Sequence, residues 1–148
     1  MWNLDDLHRY IPLGRFEMPW ATTYGNTSPG HTDREKRERI REAAEAGIWP
    51  RPDIKQWGFR VLVRKAGKRM FDIENVPKLI VDAFCKRRIK KDGTRHAALG
   101  LYEDDTLDEV VILQIAGERA DKDSTAVEIF GLLPAVSGNQ TPGSGDPA

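Results

Sequence analysis

Apolar positions recur along this chain at two spacings, and the changes between them divide it into elements. From Trp57 to Lys65 the chain alternates, with Phe59, Val61 and Val63 set against Arg60, Leu62 and Arg64; this is the period of a strand with one buried face. Ala66-Gly67-Lys68 turns the chain, and Met70 to Ile73 is expected to extend again. From Asn75 the spacing becomes helical: Val76, Leu79, Ile80, Ala83 and Phe84 fall at i, i+3, i+4, i+7 and i+8. Pro77 is tolerated in the first turn, where its missing N–H costs nothing, and Asn75 is a good cap. Val110 to Ile115 and Ala126 to Leu133 read as two further strands, joined by the polar loop Glu118 to Ser124.

Upstream, Thr32 opens a helix running from Asp33 to Ala46, with Glu35 completing a capping box and Gly47 as its stop. Its charges mix both signs, so a solvated helix laced with i to i+4 pairs is expected. Residues 1–31 scatter aromatics among Pro and Gly and read as an irregular segment with a short strand around Arg15 to Met18. Ile48 to Pro52 is a stiff connector, and residues 86–100, around a turn at Asp92-Gly93, look mobile or hairpin-like. Residues 134–148 hold too little apolar area to offset ordering entropy, so a disordered tail is expected. The fold class that follows is α/β (α+β): a mixed sheet with two principal helices, in one domain over residues 32–133.

Composition narrows the chemistry. Lys and Arg number 23, as do Asp and Glu, so the net charge is zero over 148 residues and any affinity for nucleic acid must come from local patches. Cys85 is the only cysteine, which excludes an intrachain disulfide or a cysteine zinc site and fits a buried structural thiol. No stretch approaches the roughly 20 apolar residues of a membrane span. The acid at Asp5 and Asp6 is unlike a signal peptide, so a cytoplasmic location is expected.

Carboxylates arrive from two separated places: Asp72 and Glu74 just ahead of the second helix, and Glu103-Asp104-Asp105 before a strand. Alternation puts Asp72 and Glu74 on one side of an extended segment, where like charges repel unless a cation lies between them, and a divalent metal is the obvious one. Mg²⁺ prefers oxygen ligands and takes one or two carboxylates with water and phosphate oxygens, so Asp72, Glu74 and Asp105, or its neighbour Asp104, would suffice. Lys78 lies one turn after Glu74, placed to screen the acids or to stabilise charge on a phosphoryl oxygen, and Asp82 continues that face as an exposed charge or a partner for Lys78. Between the acids lie Lys86, Arg87, Arg88, Lys90, Lys91 and Arg95, suited to holding a phosphodiester backbone. His8, His31 and His96 have no ligand spacing, and no glycine-rich loop joins a strand to a helix.

The stretch from Asp72 to Phe84, followed by Gly100-Leu101-Tyr102-Glu103-Asp104-Asp105, resembles RusA-type Holliday junction resolvases. That family shows Asp-x-Asp-Asn-x-x-Lys-x-x-x-Asp-Ala at a strand-to-helix junction, then paired aspartates before a strand, and the likeness covers roughly residues 57–133. The resemblance implies a homodimeric, Mg²⁺-dependent endonuclease that cuts branched DNA in recombination and repair, often encoded by phages or prophages. Carried onto this chain, it makes Asp72, Glu74 and Asp105 metal-binding catalytic acids, Lys78 the catalytic lysine, and Asn75 and Asp104 supporting members of the site. Glu74 stands where the family has aspartate, and the stretch from Phe84 to Leu101 is longer than in compact members. The alternative reading is a noncatalytic nucleic-acid or protein-interaction module.

Overall fold

Among the described residues the elements run β1 (Tyr10–Met18), α1 (Asp33–Ala44), β2 (Gln56–Lys65), α2 (Asn75–Ala83), α3 (Lys86–Asp92), a 3₁₀ turn (Ala97–Leu99), β3 (Val110–Arg119) and β4 (Ser124–Leu132). The computed structural model describes residues 10–22, 32–93 and 95–132. The strands lie in the order β1-β4-β2-β3. β4 is antiparallel to both β1 and β2, whereas β3 is parallel to β2. The sheet is therefore mixed and the fold is α+β, in agreement with the patterning.

Alternation decides which face of the sheet is covered. Trp57, Phe59, Val61 and Val63 of β2 point with Val127 and Ile129 of β4 into the core, beneath Ile40 and Ala44 of α1 and Val76, Leu79 and Ile80 of α2. The opposite face carries Arg15, Glu128, Arg60 and Gln114 in one cross-strand row. Arg60 donates to Gln114 at 3.1 Å and lies 3.9 Å from Glu128, while Arg64 pairs with Glu118 at 2.7 Å. A slip of one residue would bury this charged row, so the alternation also sets the register.

The first helix begins as predicted. Thr32 and Glu35 form the reciprocal capping box, at 3.2 and 2.9 Å. The helix ends at Ala44, two residues short of the expected Ala46, and Gly47 donates to the Ala44 carbonyl at 2.8 Å. Its own carbonyl accepts from Arg15 at 2.8 Å, and an added Cβ would collide with the Arg15 carbonyl. Gly47 is thus required to let the chain run against β1.

Several expectations need correction. β1 is a nine-residue strand and not a short one, because Leu13, Phe16 and Met18 reach the core and β4 supplies a long-range partner. Pro12 is accommodated on this edge strand, beside a shift of register between Pro12 and Gly14. α1 is not simply solvated: Lys36, Arg37 and Arg41 are buried. Met70 to Ile73 is not extended into a strand; Ile73 and Glu74 form a turn. Asn75 is the first helical residue, and the cap position falls to Glu74, which makes no side-chain capping bond. Residues 86–100 hold α3 and the 3₁₀ turn, with Gly93 closing α3 at a φ of 123° that favours glycine. β3 continues to Arg119, which shortens the following loop. The expected tail at residues 134–148 lies outside the described residues.

Candidate functional site

Because β2 and β3 are parallel neighbours, the chain between them must cross back over the sheet, and α2 and α3 make that crossing. This brings two distant parts of the sequence together. Lys78, in the first turn of α2, donates to Asp105 at 2.9 Å and to Asp82, one turn further on, at 3.4 Å. The hydrogen bond it donates to Asp105 holds the Lys78 ammonium above its ordinary pKa, with Asp82 adding to the effect against some desolvation. Reciprocally, the Lys78 hydrogen bond holds the Asp105 carboxyl below its ordinary value.

Asp82 is the partner of Lys78, the second of its two expected roles; it is buried, and it also faces Arg88 at 3.9 Å. Asp104 pairs with the Arg87 guanidinium. Its other oxygen accepts from the Asp105 N–H at 2.9 Å. The loop carrying these acids is fixed by Glu109, whose carboxylate accepts the N–H groups of Glu103 and Asp104 at 3.2 and 3.3 Å. On the other side, Lys86 donates its N–H to the Tyr102 carbonyl at 2.8 Å, and the Tyr102 hydroxyl donates to the Val81 carbonyl at 2.6 Å. Cys85 is buried in this junction with its thiol 3.0 Å from the Glu103 carbonyl, and burial pushes the thiol above its ordinary pKa. It is a structural thiol, as its neighbours predict.

A cleft of about 460 Å³ opens between these acids and α3. Of the predicted backbone-holding residues, Arg87 and Arg88 are engaged with Asp104 and Asp82, and Arg95 faces Glu42 at 3.6 Å. Lys90 and Lys91 are exposed on the same cleft and are without an ion-pair partner among the described residues.

Asp72 and Glu74 do not join this group. Both are exposed, and Asp72 accepts a hydrogen bond from the Asn75 amide at 3.2 Å. Ile73 is packed over Gly117, where no Cβ would fit, so the turn is held toward the far end of β3 while Asp105 lies ahead of the strand's start. Among the described residues, no three or more His, Cys, Asp or Glu side chains are arranged to hold a metal ion. The oxygen donors of Asp104 and Asp105 fit Mg²⁺ in kind, since that ion accepts one or two carboxylates and keeps several waters.

Four contributors had no clear signal in the sequence. Glu109 is the last acid of a run that reads as a solvated loop. Arg37 and Arg41 look like surface charges, yet both reach a buried Asp92. His96 is buried against Glu45 of the chain after α1, at 3.4 Å.

No family model matches the chain, and no curated protein matches it. Among the described residues, no helix is long and apolar enough to cross a membrane.

Proposed function

We propose that this chain is a Mg²⁺-dependent endonuclease of the RusA type that cuts branched DNA, working as a homodimer in the cytoplasm. The observation that carries the reading is the 2.9 Å contact between Lys78 and Asp105, which joins the two halves of the motif across the crossover connection. Mg²⁺ supplies Lewis-acid polarisation and a water of lowered pKa when bound. Asp105 and Asp104 are the groups that would hold it, with waters in its other positions. Lys78, kept charged by its carboxylate neighbours, stabilises negative charge developing on the phosphoryl oxygens. Asp82 is supporting, because it steadies Lys78. Lys90 and Lys91 hold the DNA backbone, joined by Arg87, Arg88 and Arg95 once phosphates replace their carboxylate partners.

A second reading has its own support. Asp82, Asp104 and Asp105 each already face a cation of the chain, which suits a noncatalytic nucleic-acid or protein-interaction module. Incubation of the purified protein with a labelled four-way junction and a matched linear duplex, with Mg²⁺ or with chelator, separates the two. Junction-selective nicking that chelator abolishes is the expected result. Junction binding with no metal-dependent nicking would establish the noncatalytic module.

A further inference from the structure

By its own sequence α3 is a poor helix. It has seven residues, KRRIKKD, and places Lys86, Arg87 and Arg88 in the first turn, where the helix dipole favours acids. Ile89 and the ties of Lys86, Arg87 and Arg88 to the acidic loop and to Asp82 hold its start, and the carboxylate of its last residue holds its end. Asp92 is 6% exposed and accepts two hydrogen bonds from Arg37, at 2.8 and 2.9 Å, and one from Arg41 at 3.0 Å. Its backbone carbonyl accepts from Arg34 at 2.7 Å. Arg41 also donates to the carbonyl of Ala83, the last residue of α2, at 2.6 Å. One α1 side chain therefore grips the ends of both helices that build the cleft.

A buried ion pair is seldom the most stabilising way to fill a core, and its best-attested use is to fix one arrangement among several. Here the arrangement concerns the ridge bearing Lys90 and Lys91. We propose that Asp92 is a positioning residue for nucleic-acid binding: through Arg37 and Arg41 it sets the direction in which α3 presents Lys90 and Lys91 to a phosphodiester backbone. The inference rests on the nuclease reading for the premise that α3 meets DNA. Arg37 is 7% exposed, so its effect on binding is exerted through Asp92.

The test is a salt titration of four-way-junction binding in Ca²⁺, followed by fluorescence anisotropy, on wild type, Asp92→Asn, Arg37→Gln and Lys90→Ala/Lys91→Ala. Near-UV circular dichroism shows which variants keep the packed core, and Arg37→Gln serves if Asp92→Asn does not fold. Two phosphate contacts contribute up to about 1.8 to the slope of log affinity against log salt on duplex arms. The lysine double variant is expected to lose that much, and the folded positioning variants most of it. At saturating junction with Mg²⁺, the single-turnover rate of folded Asp92→Asn and Arg37→Gln should stay within about threefold of wild type, the mark of lost binding with intact chemistry. A wild-type slope in folded Asp92→Asn or Arg37→Gln overturns the positioning role while the lysine variant still shows its loss. A wild-type slope in the lysine variant overturns it too, by removing α3 from the DNA contact.

Discussion

Lys78 has its neighbours decided by one turn of helix and one crossover. Asp82 is four residues on, so it lies on the same face of α2; Asp105 is 27 residues on and arrives only because β3 returns beside β2. On the proposed chemistry, Lys78→Met removes a charge used mainly in the transition state. Cleavage at saturating junction should fall about 100- to 1000-fold, with junction binding in Ca²⁺ changed little. A wild-type cleavage rate in Lys78→Met would take the lysine out of the chemistry. Glu74 is tested by length and charge: exposed and outside the Lys78–Asp105 group, it should keep cleavage both as Glu74→Asp and as Glu74→Gln, as expected of an acid at the start of α2, where the dipole favours it. Cleavage kept in Glu74→Asp and lost in Glu74→Gln would make Glu74 a metal ligand. The likeness of motifs pointed to Lys78 and Asp105 as one site, and side-chain geometry brings them together. The path of Asp72 was not legible in the same way, because it depends on Ile73 finding space over Gly117, a contact between residues 44 apart that no local pattern signals.

At the scale of elements, what was legible is what is local. β2 and α2 show their periods in a single window, and α1 announces its start with Thr32 and Glu35. The cap is a direct test of that local logic. Thr32→Ala should lower the unfolding free energy by about 1 kcal/mol, measured by urea denaturation at neutral pH. No loss would mean that α1 is held in place by its packing and the buried arginines alone. β1 was underestimated because Pro12 and Gly14 read as breakers, whereas its stability comes from β4, whose Leu132 pairs with Tyr10. α1 was misread for a related reason. A buried arginine and a solvated one look alike in sequence until the acid that receives them is located, and Asp92 is 51 residues from Arg41. α3 was hidden as well, since a seven-residue run with so many cations carries no amphipathic signature of its own.

For the whole molecule, a net charge of zero conceals a strongly uneven distribution, and the Asp92 cluster concentrates it where α1, α2 and α3 meet. Burial pushes the Asp92 carboxyl up, but the hydrogen bonds and charges of Arg37 and Arg41 more than offset this and leave it below the ordinary value of 3.8. A carboxyl whose pKa is lower folded than unfolded binds more protons in the unfolded state. Its stabilisation is therefore whole above the ordinary carboxylate value and is lost as pH falls through the depressed folded-state value. Asp92→Asn removes the charge but leaves two buried guanidiniums without their carboxylate, a change that costs about 3–5 kcal/mol in comparable buried pairs. Asp105 and Asp123 are also held below their ordinary values by Lys78 and Lys65, but they titrate alike in both proteins and cancel in the comparison. The gap in urea-unfolding free energy between wild type and Asp92→Asn should be widest at pH 7 and steady down to about pH 4. Below 3.8 it should narrow, because wild type is then losing the charge that the variant already lacks. A gap that stays constant from pH 7 to well below that value would show that Asp92 acts through shape and hydrogen bonding, with no contribution from its ionisation.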